Sequence, residues 1–425
     1  MKRVAKVLVA TAFVALLSSY ALGLPIFNII RVPNSSPNVP TAINNAGEVV
    51  VNRATTNGYF VALWNRVTGT QSLNSSGETD LGVAINDGND VAGSGGPTGS
   101  GKVQAFLWEQ ASGTKFLGTL GGVLSEAYGI NANPDIVGMA YTASNLQHAF
   151  LWTEAGGMLD LTPDLTSPGG ATATSINSSG EVVGYYYPNG ATNIVGFIWT
   201  QANGMQTFGN PGTMPLAVSD DGTIVGQELT SAGFRHAFSR TPSGEMTDLG
   251  TLGGDESTAL SINNNGWIIG TSLTNAENGF VHGFLWTPSG GMQDFTSLST
   301  LGAGQQPYSM SVNDFGDIAL TTRQECKVLA PNIMLSATSS PNPSVVGQQI
   351  TFTATLSSIA GPPPDGETVQ FVLNGLTATG TLKNGVAQAT ITPTKAGSPK
   401  VAVIYGGDAY YLNWRYTPIT QVVNP

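Results

Sequence analysis

LSINNNGWIIG, residues 260–270, joins a run of small residues to a β-branched run through a turn bearing Asn and Gly. This phrase decides the fold because it recurs. Versions begin at Thr41 (TAINNAGEVV), Val83 (VAINDGNDVAG), Tyr128 (YGINANPDIVG), Thr174 (TSINSSGEVVG), Leu216 (LAVSDDGTIVG) and Met310 (MSVNDFGDIAL). The anchors Asn44, Asn86, Asn131, Asn177, Ser219, Asn263 and Asn313 follow one another at intervals of 42 to 50 residues. A second phrase trails each anchor: YFVALW to Trp64, QAFLW to Trp108, HAFLW to Trp152, VGFIW to Trp199, HAFSR to Arg240, HGFLW to Trp286, and a degenerate CKVLAP from Cys326.

Each unit reads as four short strands. The first is the small-residue run, the second the VVG-like run, the third the HAFLW-like run, and the fourth a DLG-like run after a Gly-bearing turn. Asn and Asp open such turns by hydrogen-bonding backbone two residues on, and Gly accepts the positive φ of a tight hairpin. Four strands every 40 to 45 residues or so is the period of β-propeller blades. Small Ala, Ser and Gly suit the crowded inner rim, and Phe and Trp suit the gap between neighbouring blades, where both sheet faces are buried.

The fourth strands fix the expected closure. One follows each of the first six aromatic phrases, and none follows CKVLAP before the composition changes. FNIIRV, from Phe27, precedes the first anchor by about the distance at which TDLGTL precedes Asn263, so it is expected to pair with the last blade. The fold class is therefore all-β: a seven-bladed β-propeller closed by the N-terminal strand and followed by an Ig-like β-sandwich. Closure would hide unpaired strand edges. A six-bladed ring or an open solenoid is the competing architecture.

Composition agrees with this reading. The chain has 425 residues, 54 of them Gly, with 10% charged and 41% hydrophobic, a profile of many strands and turns. Lys2, Arg3 and Lys6 precede an apolar run over residues 7–17 and small residues at Ser19, Ala21 and Gly23. Residues 1–23 read as a secretory signal peptide, cut after Ala21 or Gly23, and no later stretch is long and apolar enough to span a bilayer. Loss of those three cations would take the net charge from −11 to −14, which speaks against nucleic acid or an anionic membrane as partner. Cys326, the only cysteine, leaves no internal disulfide to an exported chain.

With these phrases in view, residues 26–330 resemble the HAF family of extracellular repeat proteins, named for the tripeptide at His148 and His236. The resemblance implies an exported bacterial repeat protein and carries no reaction. Departures fall in the last unit, where CKVLAP lacks His and aromatics, and in the fifth, where Ser239–Arg240 replaces Leu–Trp.

After Pro331 the language changes to about seven strands rich in Thr and Val, with turns at Asp365–Gly366, Asn384–Gly385 and Gly406–Gly407, as in an immunoglobulin-like sandwich. Pro343, Gly347, TVQF over residues 368–371 and YGGDAYY over 405–411 resemble the bacterial Ig-like domains of surface proteins, which implies a stalk or adhesive module. The expected domains are a signal peptide over 1–23, a propeller of HAF repeats over 24–331 and the Ig-like domain over 332–425.

Sharper chemical readings compete with these structural ones. GPTGSGKV from Gly96 nearly spells a phosphate-binding loop, but Val103 stands where Ser or Thr would hold magnesium, and a strand follows in place of a helix. His148, His236 and His282 occupy one slot in units three, five and six, so they are expected on separate sheets, each packing within its own blade. NDGND from Asn86 and SDDGT from Ser219 gather acceptors suited to calcium without a complete oxygen cage. No GxSxG, HExxH or CxxC occurs, and Cys326 has no catalytic context. No catalytic, cofactor-binding or metal residue and no cofactor is therefore assigned.

Two function classes remain. The first is a secreted or surface-held, monomeric, non-catalytic binding protein whose propeller presents loops to an extracellular ligand, a glycan or a surface protein. The alternative is a secreted propeller enzyme acting on polysaccharide or peptide, for which Asp160, Glu228 and Glu256 are the candidate carboxylates.

Overall fold

A computed structural model describes residues 26–425 apart from 38, 40, 56–57, 74–79, 97–101, 276–280, 300, 302–305, 408–410 and 412–413. The signal peptide and most of the GPTGSGKV stretch lie outside the described residues. The chain divides into two compact units, one spanning residues 29–329 and one built on residues 330–425 together with the leading residues up to Asn28. Among the described residues no helix is long and apolar enough to cross a membrane.

In the first unit the strands form sheets in sequence order. The fourth is representative: Ala171–Ile176, Val182–Tyr186, Val195–Thr200 and Gly204–Phe208 lie side by side, each antiparallel to the next. Four-stranded sheets of the same order are drawn from residues 81–116, 121–160, 214–250 and 253–294. One short helix, α1 (Phe295–Leu298), follows the last of these. The remaining four-stranded sheet has the order Phe27–Arg31, Cys326–Pro331, Ile318–Thr322, Pro307–Val312, with the N-terminal strand outermost.

Residues 49–72 form a three-stranded sheet, because the first run of that unit makes only the isolated bridge Ile43↔Val49. The expected strand there is reduced to a few contacts, including Val50 N–H to Ala42 O at 2.9 Å. Prolines at 37 and 40 immediately precede it in sequence and offer no N–H to a ladder.

The recurrent glycine and phenylalanine have one explanation. Gly93, Gly138, Gly184, Gly226 and Gly270 of the second strands stand opposite Phe106, Phe150, Phe197, Phe238 and Phe284 of the third. On their other side the first strand carries a bulge. A Cβ on Gly184 would lie 2.1 Å from Thr172 O and 2.7 Å from the Phe197 ring, and on Gly270 2.0 Å from Thr258 O and 2.6 Å from the Phe284 ring. The bulge brings backbone too close for any side chain, and the ring covers the bare glycine.

The two residues before that glycine face opposite ways and are both buried, as between stacked sheets. Ile136 and Trp152 pack with Ala92 and Leu107 of the preceding sheet, whereas Val137 and Leu151 pack with Ala173, Val182 and Phe197 of the following one. Trp108 packs likewise on Val50 and Leu63, and Trp64 on Ala319, Cys326 and Val328 of the sheet that holds the N-terminal strand.

The second unit is a β-sandwich. One sheet has the order Met334–Ser340, Ile350–Ser357, Val386–Ile391, and the other Leu376–Thr381, Thr368–Leu373, Lys400–Tyr405, Trp414–Thr420. Phe352 and Phe371 stack at 5.9 Å between centroids in a core with Ile350, Val369, Val403 and Tyr405. The Tyr405 hydroxyl donates to the Glu367 carboxylate. At the Asn384–Gly385 turn both residues have positive φ, 49° and 76°, as the sequence pair demands.

Candidate functional site

The anchor asparagines carry a double role that begins in the turn. Each Oδ1 accepts backbone N–H groups ahead of it: Asn177 from Ser179 at 3.1 Å and Glu181 at 2.9 Å, Asn263 from Asn265 at 3.1 Å and Trp267 at 2.9 Å. That is the expected turn chemistry. The Nδ2 group then reaches the next unit and donates to the carbonyl of its anchor. Asn44 donates to Asn86 O (2.9 Å), Asn86 to Asn131 O (3.1 Å), Asn131 to Asn177 O (3.3 Å) and Asn177 to Ser219 O (3.1 Å). Asn263 donates to Asn313 O (2.8 Å) and Asn313 to Asn44 O (3.0 Å). Ser219 has no amide, and its hydroxyl turns inward to Asp221 and Thr223 O.

The residue after each anchor enters a common mouth of about 240 Å³ lined by all these units. These residues are Asn45, Asp87, Ala132, Ser178, Asp220, Asn264 and Asp314. Over five of these positions, from Asp220 through Asn264, Asp314 and Asn45 to Asp87, carboxylates and amides alternate. Asn45 Nδ2 bridges Asp87 and Asp314 at 3.0 Å each, and Asn264 Nδ2 bridges Asp220 at 3.0 Å and Asp314 at 3.1 Å. Backbone N–H groups complete the pattern: Asn45 to Asp87 (2.9 Å), Ser178 to Asp220 (2.9 Å), Asn264 to Asp314 (2.8 Å) and Asp314 to Asn45 Oδ1 (2.8 Å).

Burial alone would raise the Asp220 carboxyl. Hydrogen bonds from Ser178 and Asn264 outweigh it and hold the group below its ordinary value. Asp221 is held down chiefly by the Ser219 hydroxyl. A carboxyl held low is ionised at neutral pH and cannot serve there as a general acid, which needs the opposite shift. The mouth is a polar surface of fixed acceptors and donors.

Sequence reasoning singled out NDGND and SDDGT separately, and the structure brings their Asp87 and Asp220 into the one mouth with Asp314. Among the described residues no group of three His, Cys, Asp or Glu is arranged to hold a metal. The signal for the mouth was present as the polar residue that follows the anchor in six of the seven units, but its convergence depends on the placement of neighbouring sheets.

The three histidines lie on three sheets, as expected from their shared slot. Each ring Nδ1 meets the aspartate twelve residues on: His148 with Asp160 at 2.8 Å, His236 with Asp248 at 2.9 Å and His282 with Asp294 at 2.7 Å. Each pair ties the third strand of a sheet to the residues of the fourth. His148 is 4% exposed and its Nε2 also meets Leu165 O at 3.1 Å. His148→Ala is expected to destabilise by about 2–3 kcal/mol, as the half-buried Asp160 carboxylate and the buried Leu165 carbonyl lose their partner, and His236→Ala by less than about 1 kcal/mol at its more open pair. Thermal unfolding of the two variants measures the difference.

The candidate catalytic carboxylates are not brought together. Asp160 serves His148 and the Thr162 N–H, Glu228 stands opposite His236 in another sheet, and Glu256 is exposed on a third. Burial raises the Glu228 carboxyl and Asp248 adds to the rise. The Cys326 thiol is buried, which pushes it up to about 12 and makes a thiolate nucleophile unavailable at neutral pH. After the GPTGSGKV stretch comes the strand Gln104–Glu109, with no helix to receive a phosphate.

Comparison with known proteins places the two units. Residues 337–424 match the model of the bacterial Ig-like domain, group 3, and this part of the chain is such a domain. No curated protein sequence matches the chain. Among solved structures, a streptogramin B lyase is similar with a TM-score of 0.51 at 16% identity, covering 72% of this chain and 98% of that one. A gluconolactonase of Xanthomonas campestris, XC5397, follows at TM-score 0.40 and 10% identity, covering 73% and 92%. The extracellular domain of the putative one-component system BT4673 of B. thetaiotaomicron has TM-score 0.44 and 9% identity, covering 93% and 55%. The neighbours are propeller-like, and the likeness is one of fold alone.

Proposed function

We propose that this is an exported, non-catalytic binding protein in which residues 24–331 form a seven-bladed propeller of HAF-type repeats closed by the N-terminal strand. Residues 332–425 act as its spacer or adhesive module. The outermost place of Phe27–Arg31 beside Cys326–Pro331, the packing of Trp64 on Val328 and the hydrogen bond from Asn313 to Asn44 support the closed ring.

The alternation of carboxylate and amide over five of the seven positions of the mouth carries the functional reading. Asp87, Asp220 and Asp314 present oxygen lone pairs, and Asn45 and Asn264 hold them in place. Such a surface suits the hydroxyl groups of a glycan end, which donate to carboxylates and accept from amides.

Glycan-array binding by the purified mature protein, with and without residues 332–425, tests this. Saturable binding without turnover, carried by residues 24–331 and weakened by Asp314→Ala, is the expected result. Product release abolished by one carboxylate substitution would establish the enzyme alternative instead.

A further inference from the structure

The repeat is broken twice in one sheet, and a cleft opens at the break. In five of the other six sheets of this series the residue opposite the first β-branched position of the second strand is a tryptophan: Val49↔Trp64, Val91↔Trp108, Ile136↔Trp152, Val182↔Trp199 and Ile268↔Trp286; in the sheet that holds the N-terminal strand it is the apolar Leu329, opposite Ile318. In the sheet of residues 214–250 the same register gives Ile224↔Arg240. The same sheet is the one whose anchor is Ser219 rather than Asn. Where an indole would fill the gap against the preceding sheet, a cavity of about 290 Å³ remains, lined by Glu181, Gln206, Asp220, Asp221, Arg240 and Pro242 among others. That is near the lower size of small-ligand pockets, roughly 300 Å³.

The cleft holds opposite charges that do not meet. The Arg240 guanidinium lies over the Phe208 ring, 4.9 Å from its centroid, and spends one N–H on Thr241 O at 3.3 Å. Among the described residues it closes no ion pair with Glu181, although both line the cavity. Burial raises the Glu181 carboxyl, and Arg240 partly offsets the rise. Asp221, beside them, is already held by Ser219 and Thr223. An aromatic-backed guanidinium is a pre-set fork for a carboxylate, and a half-buried carboxylate without a partner draws an ammonium group.

We infer that the cleft between the sheets of residues 171–208 and 214–250 is a binding site for a small zwitterion, its carboxylate on Arg240 and its ammonium on Glu181. The cleft shares Asp220 with the mouth and differs from it in chemistry, since the lining of the mouth contains no cation. A free amino acid and a peptide terminus both offer these groups, and only the former holds both within one small molecule.

Calorimetric titration of the mature protein tests the assignment with L-alanine, N-acetyl-L-alanine, L-alanine amide and trialanine, each up to about 10 mM. Binding of L-alanine, with at least about a tenfold loss on blocking either charge, is the expected result, and trialanine binding equally well would assign the site to a chain terminus. Arg240→Trp restores the repeat pattern and refills the cleft, so it should keep or raise the melting temperature while abolishing binding. Arg240→Gln gives the same readout if the indole fails to pack. No binding of any of the four probes, or unchanged affinity in both variants, would overturn the inference.

Discussion

A chain shortened to begin at Pro33 is expected to aggregate and to lose much of its stability. The shortening strips the outer strand from Cys326–Pro331 and removes Ile30 and Val32, which pack with Val49, Trp64 and Val328. Val32 N–H also donates to Cys326 O at 3.1 Å. Burial of two aliphatic side chains and a strand's worth of hydrogen bonds amounts to about 5 kcal/mol or more, comparable with the whole stability of many domains. The exposed edge then invites pairing with other chains. Size-exclusion chromatography and thermal unfolding read the effect; a monomer with an unshifted melting temperature would mean the strand contributes nothing.

Asn313→Ala is expected to cost about 3–5 kcal/mol, far more than the loss of one polar side chain at a surface. It removes the donor to Asn44 O and the acceptor of the Phe315 and Asp317 N–H groups in a site only 3% exposed. Groups left without partners in such a place cost about 1–3 kcal/mol each. Ser219→Asn runs the other way. It supplies the amide that the series lacks between Asn177 and Asn263, and should gain about 1 kcal/mol, a rise of a few degrees in melting temperature. Equal and small effects of both changes would show that the inter-unit hydrogen bonds are incidental to stability.

Much of this was legible because the repeat speaks seven times. The positions of the strands, the Gly–Phe phrase and the His slots follow from periodicity, and the C-terminal sandwich follows from its alternation and turns. The second use of the anchor amide was not legible, since Asn177 Nδ2 finds Ser219 O only when two sheets are set side by side. The reason for glycine in the VVG run was equally hidden, because it lies in a bulge on the neighbouring strand. The shortened first strand near Thr41 and the brief helix Phe295–Leu298 depart from the repeat where local sequence does, at prolines in one case and at FTSL in the other. The mouth could be guessed only in fragments, whereas the Arg240 substitution was visible as a departure whose consequence needed the cavity beside it.

Ring closure can be tested with the chain's own thiol. Thr41 Oγ1 lies 3.7 Å from Cys326 Sγ, across 285 residues of sequence. Thr41→Cys, refolded in a glutathione redox buffer, is predicted to form an intramolecular disulfide, seen as a faster-migrating non-reduced species and a cross-linked peptide pair in mass spectrometry. Two free thiols after refolding, or disulfides formed only between chains, would contradict a propeller whose first and last units meet.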